Sequence, residues 1–420
     1  MPRPTRDLLR FATVGSVDDG KSTLIGRLLV DTRQLFDDQL DAVAAASAKR
    51  GVGDLDLSFV TDGLRAEREQ GITIDVAYRY ASTPSRKFVI ADCPGHIQYT
   101  RNMATGASTA DLALVVLDVA SGLKEQTRRH LCIAALLGVR NVIVAANKMD
   151  SINWDRGSFD AVVADVHALA EKIGFHDVLV IPVSALQGDN VVDPSAAAPW
   201  YNGPTVLSAL ENSPSGAWSS QHSGARLPIQ WVLRQDGGGR TYAGTLNGGG
   251  LHAGDEVTLL PQGVRTTIRS INGLRGDNTE ALPGLSIDLD LVAETDAGRG
   301  DIIATAPLPQ VTSEFEATIC WFSDQPLRPG TRLRVKHTTR STPARVTSVA
   351  GHLSLDTLQS LPTEELSLND IGFVSITCAS PLVIDDYSDN RVTGSFVLID
   401  ERTNATVAAG MIGRPAFTTL

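Results

Sequence analysis

From Gly15 to Thr23 the chain reads Gly-Ser-Val-Asp-Asp-Gly-Lys-Ser-Thr, which fits G-x-x-x-x-G-K-[ST]. These residue types at this spacing make a phosphate cradle. Glycine lets the backbone curl until successive N–H groups point at one anion. An apolar helical pattern follows at Leu24, Ile25, Leu28 and Leu29, and its positive N-terminal end adds to the attraction. Lys21 would bridge the β- and γ-phosphates of a nucleotide and neutralise charge during transfer, and Ser22 would give a hydroxyl ligand to Mg²⁺. The candidate phosphate contacts are therefore Gly15, Ser16, Val17, Asp18, Asp19, Gly20, Lys21, Ser22 and Thr23. Two carboxylates look misplaced in such a loop. They are tolerable because the loop binds through backbone N–H groups while side chains can point away.

Further along stand the other parts of a nucleotide site. Asp92-Cys93-Pro94-Gly95-His96 follows the apolar run Phe88–Ile90. A carboxylate at a strand end can hold Mg²⁺ through water, and Gly95 lets its N–H approach a γ-phosphate. His96, next in line, is placed to position an attacking water, so it is the second candidate catalytic residue beside Lys21. Asn147-Lys148-Met149-Asp150 follows another apolar run, and the Asp150 carboxylate can accept from guanine N1 and N2 together. Adenine lacks that donor pair, so the motif selects GTP. Ser184-Ala185-Leu186 can reach guanine O6 through backbone N–H. Thr73, in Gly71-Ile72-Thr73-Ile74-Asp75, is the natural second hydroxyl ligand to Mg²⁺, which makes Ser22, Thr73 and Asp92 the metal candidates. A segment of this kind is ordered by γ-phosphate and metal and released after hydrolysis. Cys93 reads as a small packing residue, with nothing nearby to activate a nucleophile.

These motifs need strands to carry them and helices to cover the strands. Residues 1–212 supply both. Short apolar runs at Arg10–Val14, Ile72–Tyr80, Phe88–Asp92, Leu112–Asp118, Val142–Asn147 and Val178–Val183 alternate with helical patterns such as Lys124–Leu137 and Phe159–Ile173. That alternation predicts an α/β P-loop domain with a mainly parallel sheet and helices on both faces. Residues 213–226, rich in Ser, Gly and Pro, read as a linker. Beyond it, short β-rich runs are separated by Asp-Gly, Gly-Gly and Asn-Gly signals such as Asp236-Gly237, Asn247-Gly248 and Asn272-Gly273. They predict one β-barrel over 227–308 and another over 309–420, the latter including Phe315–Phe322, Arg332–His337 and Gly394–Ile399.

Composition narrows the setting. With 42% apolar and 20% charged residues, disorder and coiled coil are excluded as the main state. The balance of 37 Lys+Arg against 48 Asp+Glu gives −11, which offers no broad basic footprint for nucleic acid. Cys93, Cys132, Cys320 and Cys378 lie far apart, so they read as reduced buried thiols and not as a metal or redox pair. No run approaches the ~20 apolar residues of a membrane span, and the start lacks a signal-peptide core, so a soluble cytoplasmic protein is expected.

The motifs at Gly15–Thr23, Glu67–Asp75, Asp92–Ala107, Asn147–Asp150 and Ser184–Leu186, with the layout of one GTPase domain and two barrels, resemble the translation-factor GTPases typified by elongation factor Tu. Finer wording resembles one branch, the GTPase subunit of sulfate adenylyltransferase. Translation factors usually carry histidines where Ser16 and Asp19 stand here. Asp31–Leu40, Leu57–Gly71, Asp75–Tyr80 and His96–Gly106 also look like that branch. Leu227–Arg234 and Ala243–Val257 match its second domain more loosely.

The resemblance implies GTP and Mg²⁺ as cofactors and a separate, smaller catalytic subunit as partner. That subunit transfers the adenylyl group of ATP to sulfate, giving adenylylsulfate and pyrophosphate, and GTP hydrolysis drives the step. It also implies no membrane and no nucleic acid. Some relatives carry a fused adenylylsulfate kinase. No second G-x-x-x-x-G-K-[ST] occurs before Leu420, so no kinase activity is expected. The competing reading is a translation GTPase that delivers aminoacyl-tRNA, with a non-catalytic GTP-binding regulator as a third.

Overall fold

We describe the protein from a computed structural model. It describes residues 8–34, 57, 75–96, 99–175, 177–214, 223–234, 239–273, 276–293, 295–354 and 357–414. Thr73 lies outside them, as do most of Glu67–Asp75, Asp31–Leu40 and Leu57–Gly71. The chain divides into two compact units, the first running to Ala217.

Among the described residues, the first unit is built on six strands: β1 (Leu8–Gly15), β2 (Ala77–Ser82), β3 (Lys87–Asp92), β4 (Leu112–Asp118), β5 (Asn141–Asn147) and β6 (Val178–Pro182). Their order across the sheet is β2-β3-β1-β4-β5-β6. Of these six, β2 alone runs antiparallel, paired with β3 through a short hairpin. The expected strand at Ile72–Tyr80 is therefore shifted, and its first residues fall outside the described ones. The α-helices described between the strands are α1 (Lys21–Asp31), α2 (Thr100–Ala107), α3 (Glu125–Leu136), α4 (Arg156–Ile173) and, after β6, α5 (Val206–Asn212).

The sequence explains this layering. The run Leu112–Leu117 is apolar at every position and fully buried, as a central parallel strand covered on both faces must be. The helices present narrower apolar stripes. In α1, Leu24, Ile25, Leu28 and Leu29 pack with Phe11, Phe88 and Ile90 of the sheet. Asp155 caps the start of α4 by accepting from the Ser158 N–H at 2.7 Å, and Gly174 ends it in the left-handed conformation. The buried Arg86 closes α5: its Nη1 donates to the carbonyls of Leu210 (2.9 Å), Glu211 (3.1 Å) and Ser213.

The second unit holds two closed six-stranded barrels. The first barrel joins Arg226–Arg234, Arg240–Thr245, Ser286–Leu291, Val264–Gly273, Glu256–Leu260 and Ile302–Ala304, and closes where Val257 pairs with Thr266. The second joins Arg332–His337, Ser395–Ile399, Thr406–Ile412, Gln310–Trp321, Ile371–Ile384 and Arg340–Leu353, and closes where Val335 pairs with Thr342. Along Arg340–Val346 buried and exposed positions alternate, the period-two signature of a strand with one wet face.

Two local readings differ. Asn272 and Gly273 are not the turn itself. They are the last paired residues of their strand, opposite Asp277 and Gly276. Arg226, read as the last linker residue, opens the first barrel strand and is buried.

Candidate nucleotide-binding site

The sheet register brings the motifs together. Thr13 of β1 lies level with Asp92 of β3, and Gly15 lies level with Val116 of β4. Asp118 at the end of β4 lies level with Asn147 at the end of β5. The motifs therefore leave the sheet at the C-terminal ends of the parallel strands β1, β3, β5 and β6, on one edge of the sheet, and β1 lies between β3 and β4, where the strand order reverses. Open α/β sheets place their ligand crevice at such a point.

The loop after β1 is held in a strained path. Gly15 (φ 152°), Asp18 (φ 64°) and Gly20 (φ 92°) have positive φ. Packing as well as φ demands the glycines. A Cβ on Gly15 would lie 2.2 Å from the Val116 carbonyl, and one on Gly20 would lie 2.3 Å from Asn147 Nδ2. Lys21 is buried, and its Nζ donates to the carbonyls of Gly15 (2.9 Å) and Ser16 (2.8 Å). Burial lowers its pKa from the usual lysine value, while the charges of Asp92 and Asp19 oppose the fall. At the start of α1 the first intrahelical bond runs from Leu24 N–H to Gly20 O, 2.9 Å. The Lys21, Ser22 and Thr23 amides therefore have no acceptor within their own helix.

The two aspartates part company. Asp18 is exposed, as expected of a side chain pointing away. Asp19 instead turns into the protein. Its Oδ2 accepts from Ser16 N–H at 3.1 Å and its Oδ1 meets Lys124 Nζ at 2.7 Å. Sequence reasoning missed the supports that α3 supplies here. Thr127 Oγ1 lies 3.0 Å from Ser16 Oγ, and His130 Nδ1 accepts from Gly15 N–H at 3.2 Å. With Nδ1 accepting, the ring proton sits on Nε2, and the Gln126 side-chain amide 2.9 Å away then takes it through its oxygen, the amide O and N being assigned by this hydrogen bond. Burial, then the charges of Lys21 and Arg129, push the His130 pKa down to about 3, so the ring is neutral. One signal was available in the sequence: Thr127 and His130 are polar residues three apart on a helix face otherwise apolar at Leu131 and Ala134.

On the base side, Asn147 ties two loops together. Its Nδ2 donates to Asp19 O (2.8 Å) and its Oδ1 accepts from Ala185 N–H (2.9 Å). Lys148 (φ 64°) pairs with Asp118 at 3.0 Å. Asp150 Oδ1 is buried and has no hydrogen-bond partner among the described residues, as fits a carboxylate awaiting donors from a ligand. Ser184 Oγ accepts from Gln187 N–H at 3.2 Å, which holds the turn carrying Ala185 and the exposed Leu186.

Asp92 is 1% exposed at the end of β3, and its charge acts on Lys21. A Cβ on Gly95 would lie 2.5 Å from Lys21 Nζ and 2.9 Å from the Gly15 carbonyl oxygen, so a side chain here would push against both the lysine tip and the loop backbone. His96 follows, its ring edge-on to Tyr99 at 6.2 Å. Of the metal candidates, Asp92 and Ser22 lie among the described residues and would offer one carboxylate and one hydroxyl. Hard oxygen donors of this kind suit Mg²⁺, which takes few protein ligands and completes its shell with phosphates and water. No group of three or more His, Cys, Asp or Glu side chains that could hold a metal occurs among the described residues. Cys93, Cys132, Cys320 and Cys378 are all free and buried. Burial raises the Cys93 pKa, so this thiol is inert packing.

Comparison with known proteins completes the picture. Residues 6–215 match the Elongation factor Tu GTP binding domain, and residues 314–413 match the GTP-eEF1A C-terminal domain-like family. The chain is 48% identical over 410 residues to sulfate adenylyltransferase subunit 1 of Aeromonas salmonicida (strain A449), covering 97% of this chain and 87% of that one. The chain belongs to the sulfate adenylyltransferase subunit 1 family. A further relative, the bifunctional enzyme CysN/CysC of Mycobacterium tuberculosis (strain ATCC 25618 / H37Rv), is 51% identical over 416 residues, covering 97% of this chain and 67% of that one. Another member, subunit 1 of Laribacter hongkongensis (strain HLHK9), is 47% identical over 412 residues, covering 97% of this chain and 85% of its own. Among solved structures, sup35 complexed with GDP covers 97% of this chain and 94% of its own with a TM-score of 0.44 and 21% identity, too distant to build on. As in the family, the first domain is a GTP-binding GTPase domain. No helix among the described residues is long and apolar enough to cross a membrane.

Proposed function

We propose that this chain is the GTPase subunit of a sulfate adenylyltransferase, and that GTP hydrolysis here drives adenylyl transfer from ATP to sulfate on a separate, smaller catalytic subunit. The products are adenylylsulfate and pyrophosphate. The single observation that carries the reading is the 48% identity to a sulfate adenylyltransferase subunit 1 over 97% of the chain. The word "subunit" in that relative's name supports a partner, and the separate catalytic chain is our extension of it.

In this reading the chain's own groups act as follows. The loop from Gly15 to Thr23 holds the phosphates through backbone N–H groups, and Lys21 places a buried positive charge against them. Ser22 and Asp92, with Thr73, would hold Mg²⁺, which would supply positive charge against the phosphates. Gly95 brings its N–H to the γ-phosphate and His96 positions the attacking water. Asp150 accepts from guanine, Lys148 flanks the base, and Ala185 and Leu186 meet its O6 edge through N–H groups, with Ser184 holding their turn.

The test is a GTPase assay on the whole chain with partner subunit, ATP and sulfate added one at a time. Turnover that rises when all three are present supports the reading. Turnover indifferent to all three, or aminoacyl-tRNA bound in place of an ATP-binding partner, overturns it in favour of a translation GTPase.

A further inference from the structure

Helix α3 contributes no residue to the sequence motifs, yet it meets the phosphate loop side by side at its first turns. Lys124, the residue preceding α3, pairs with Asp19 at 2.7 Å, with side-chain exposures of 35% and 1%. Thr127, fully buried, lies 3.0 Å from the Ser16 hydroxyl. Asp19 is the hub of the loop. One carboxylate oxygen is held by Lys124, the other caps Ser16 N–H, and its main-chain oxygen accepts from Asn147.

A buried carboxylate beside a site for phosphate anions is a liability unless a cation holds it. We propose that Lys124 and Thr127 are positioning residues of the phosphate loop, and that the Lys124–Asp19 pair sets how fast bound nucleotide leaves. Without Lys124, the Asp19 carboxylate repels the arriving phosphates and must turn out to solvent. Turning out frees Ser16 N–H, and the positive-φ path through Asp18 loses the bond that closes it. Thr127 limits the sideways movement of Ser16. Neither residue touches the reacting atoms. Their loss should therefore speed nucleotide release and raise KM, with kcat unchanged at saturating GTP.

The inference rests on the phosphate-loop reading of Gly15–Thr23, and the experiment separates the two. Dissociation of a fluorescent N-methylanthraniloyl GDP is followed by stopped flow from the full-length chain with Mg²⁺ present. Lys124→Gln should release it about tenfold faster, the scale of losing one hydrogen bond between charged groups. Lys124→Arg should restore the slow rate. In an Asp19→Asn background the effect of Lys124→Gln should vanish, because no buried charge remains to be held. The proposal fails if Lys124→Gln releases nucleotide at the wild-type rate, if arginine does not rescue, or if the effect persists in the Asp19→Asn background. Lys21→Ala serves as the control. If that variant holds nucleotide normally, the phosphate-loop reading itself falls. If it loses nucleotide while Lys124→Gln behaves as wild type, only the present inference falls.

Discussion

At the scale of single residues, the site divides into groups that face a ligand and groups that hold those groups still. His96 belongs to the first kind in our reading. His96→Ala should leave GTP affinity near that of the parent while slowing hydrolysis on the order of 10²-fold, the lower range for a positioned proton-handling group. Equilibrium binding and single-turnover hydrolysis check this, and collapsed affinity would make His96 structural. In the same reading, Asp150→Asn should shift selection from guanine towards xanthine nucleotides, because an acceptor-only carboxylate becomes an amide that also donates. Competition between GTP and XTP reads that shift. His130 is of the second kind. Its folded-state pKa of about 3 lies below the ordinary 6.5, so between these values the unfolded chain binds a proton that the folded chain refuses. Its contribution to stability is therefore complete above pH 6.5 and is lost as pH falls, by about 2 kcal/mol at pH 5. Melting curves from about pH 7 to 5 should be shallower in pH for His130→Asn than for the parent, and parallel slopes would refute the assignment.

At the scale of elements, much was legible in advance. Leu112–Asp118 appears as a strand with the bounds the apolar run suggested, because a strand buried on both faces has a continuous apolar signature. Arg332–His337 is found as expected because alternation marks a half-wet strand. Helix α2 (Thr100–Ala107) and helix α5 (Val206–Asn212) were not anticipated. Each is short, at 8 and 7 residues, so neither gives a full period-3.6 signal. The end of α5 is settled by Arg86, 125 positions away from Glu211 in the chain, and no local pattern announces such a cap. The same holds for the phosphate loop. Ser16 and Asp19, the two positions where translation factors usually carry histidine, are the two whose side chains α3 and its preceding lysine hold. The wording that set this branch apart thus corresponds to a contact between two elements.

At the scale of the whole molecule, a buried ion pair joins the two barrels. Arg226, from the first strand of the first barrel, meets Asp385 of the second through Nε at 2.9 Å and Nη2 at 3.0 Å. The same guanidinium donates to the carbonyls of Thr305 (2.9 Å) and Pro307 (2.7 Å), and Thr393 Oγ1 donates to the carboxylate at 2.5 Å. Removing one partner leaves the other charge buried and alone. Arg226→Met should cost about 3–5 kcal/mol, and adding Asp385→Leu should recover part of it. Urea unfolding of the single and double variants tests this, and strictly additive losses would mean that the pair does not couple the barrels. The sequence by itself carried the glycine-rich loop and the Asn147–Asp150 segment as motifs, the alternation of strands and helices, and the change to barrels in the later part of the chain. Those features depend on glycine positions, side-chain chemistry and periodicity, which are local properties of a chain. Only the tertiary structure decided that Asp19 faces inward, that His130 is neutral and holds Gly15, and that Arg226 joins two barrels. Each of these pairs residues between 3 and 159 positions apart through burial, and the energy of a buried polar group depends on which partner the fold brings to it.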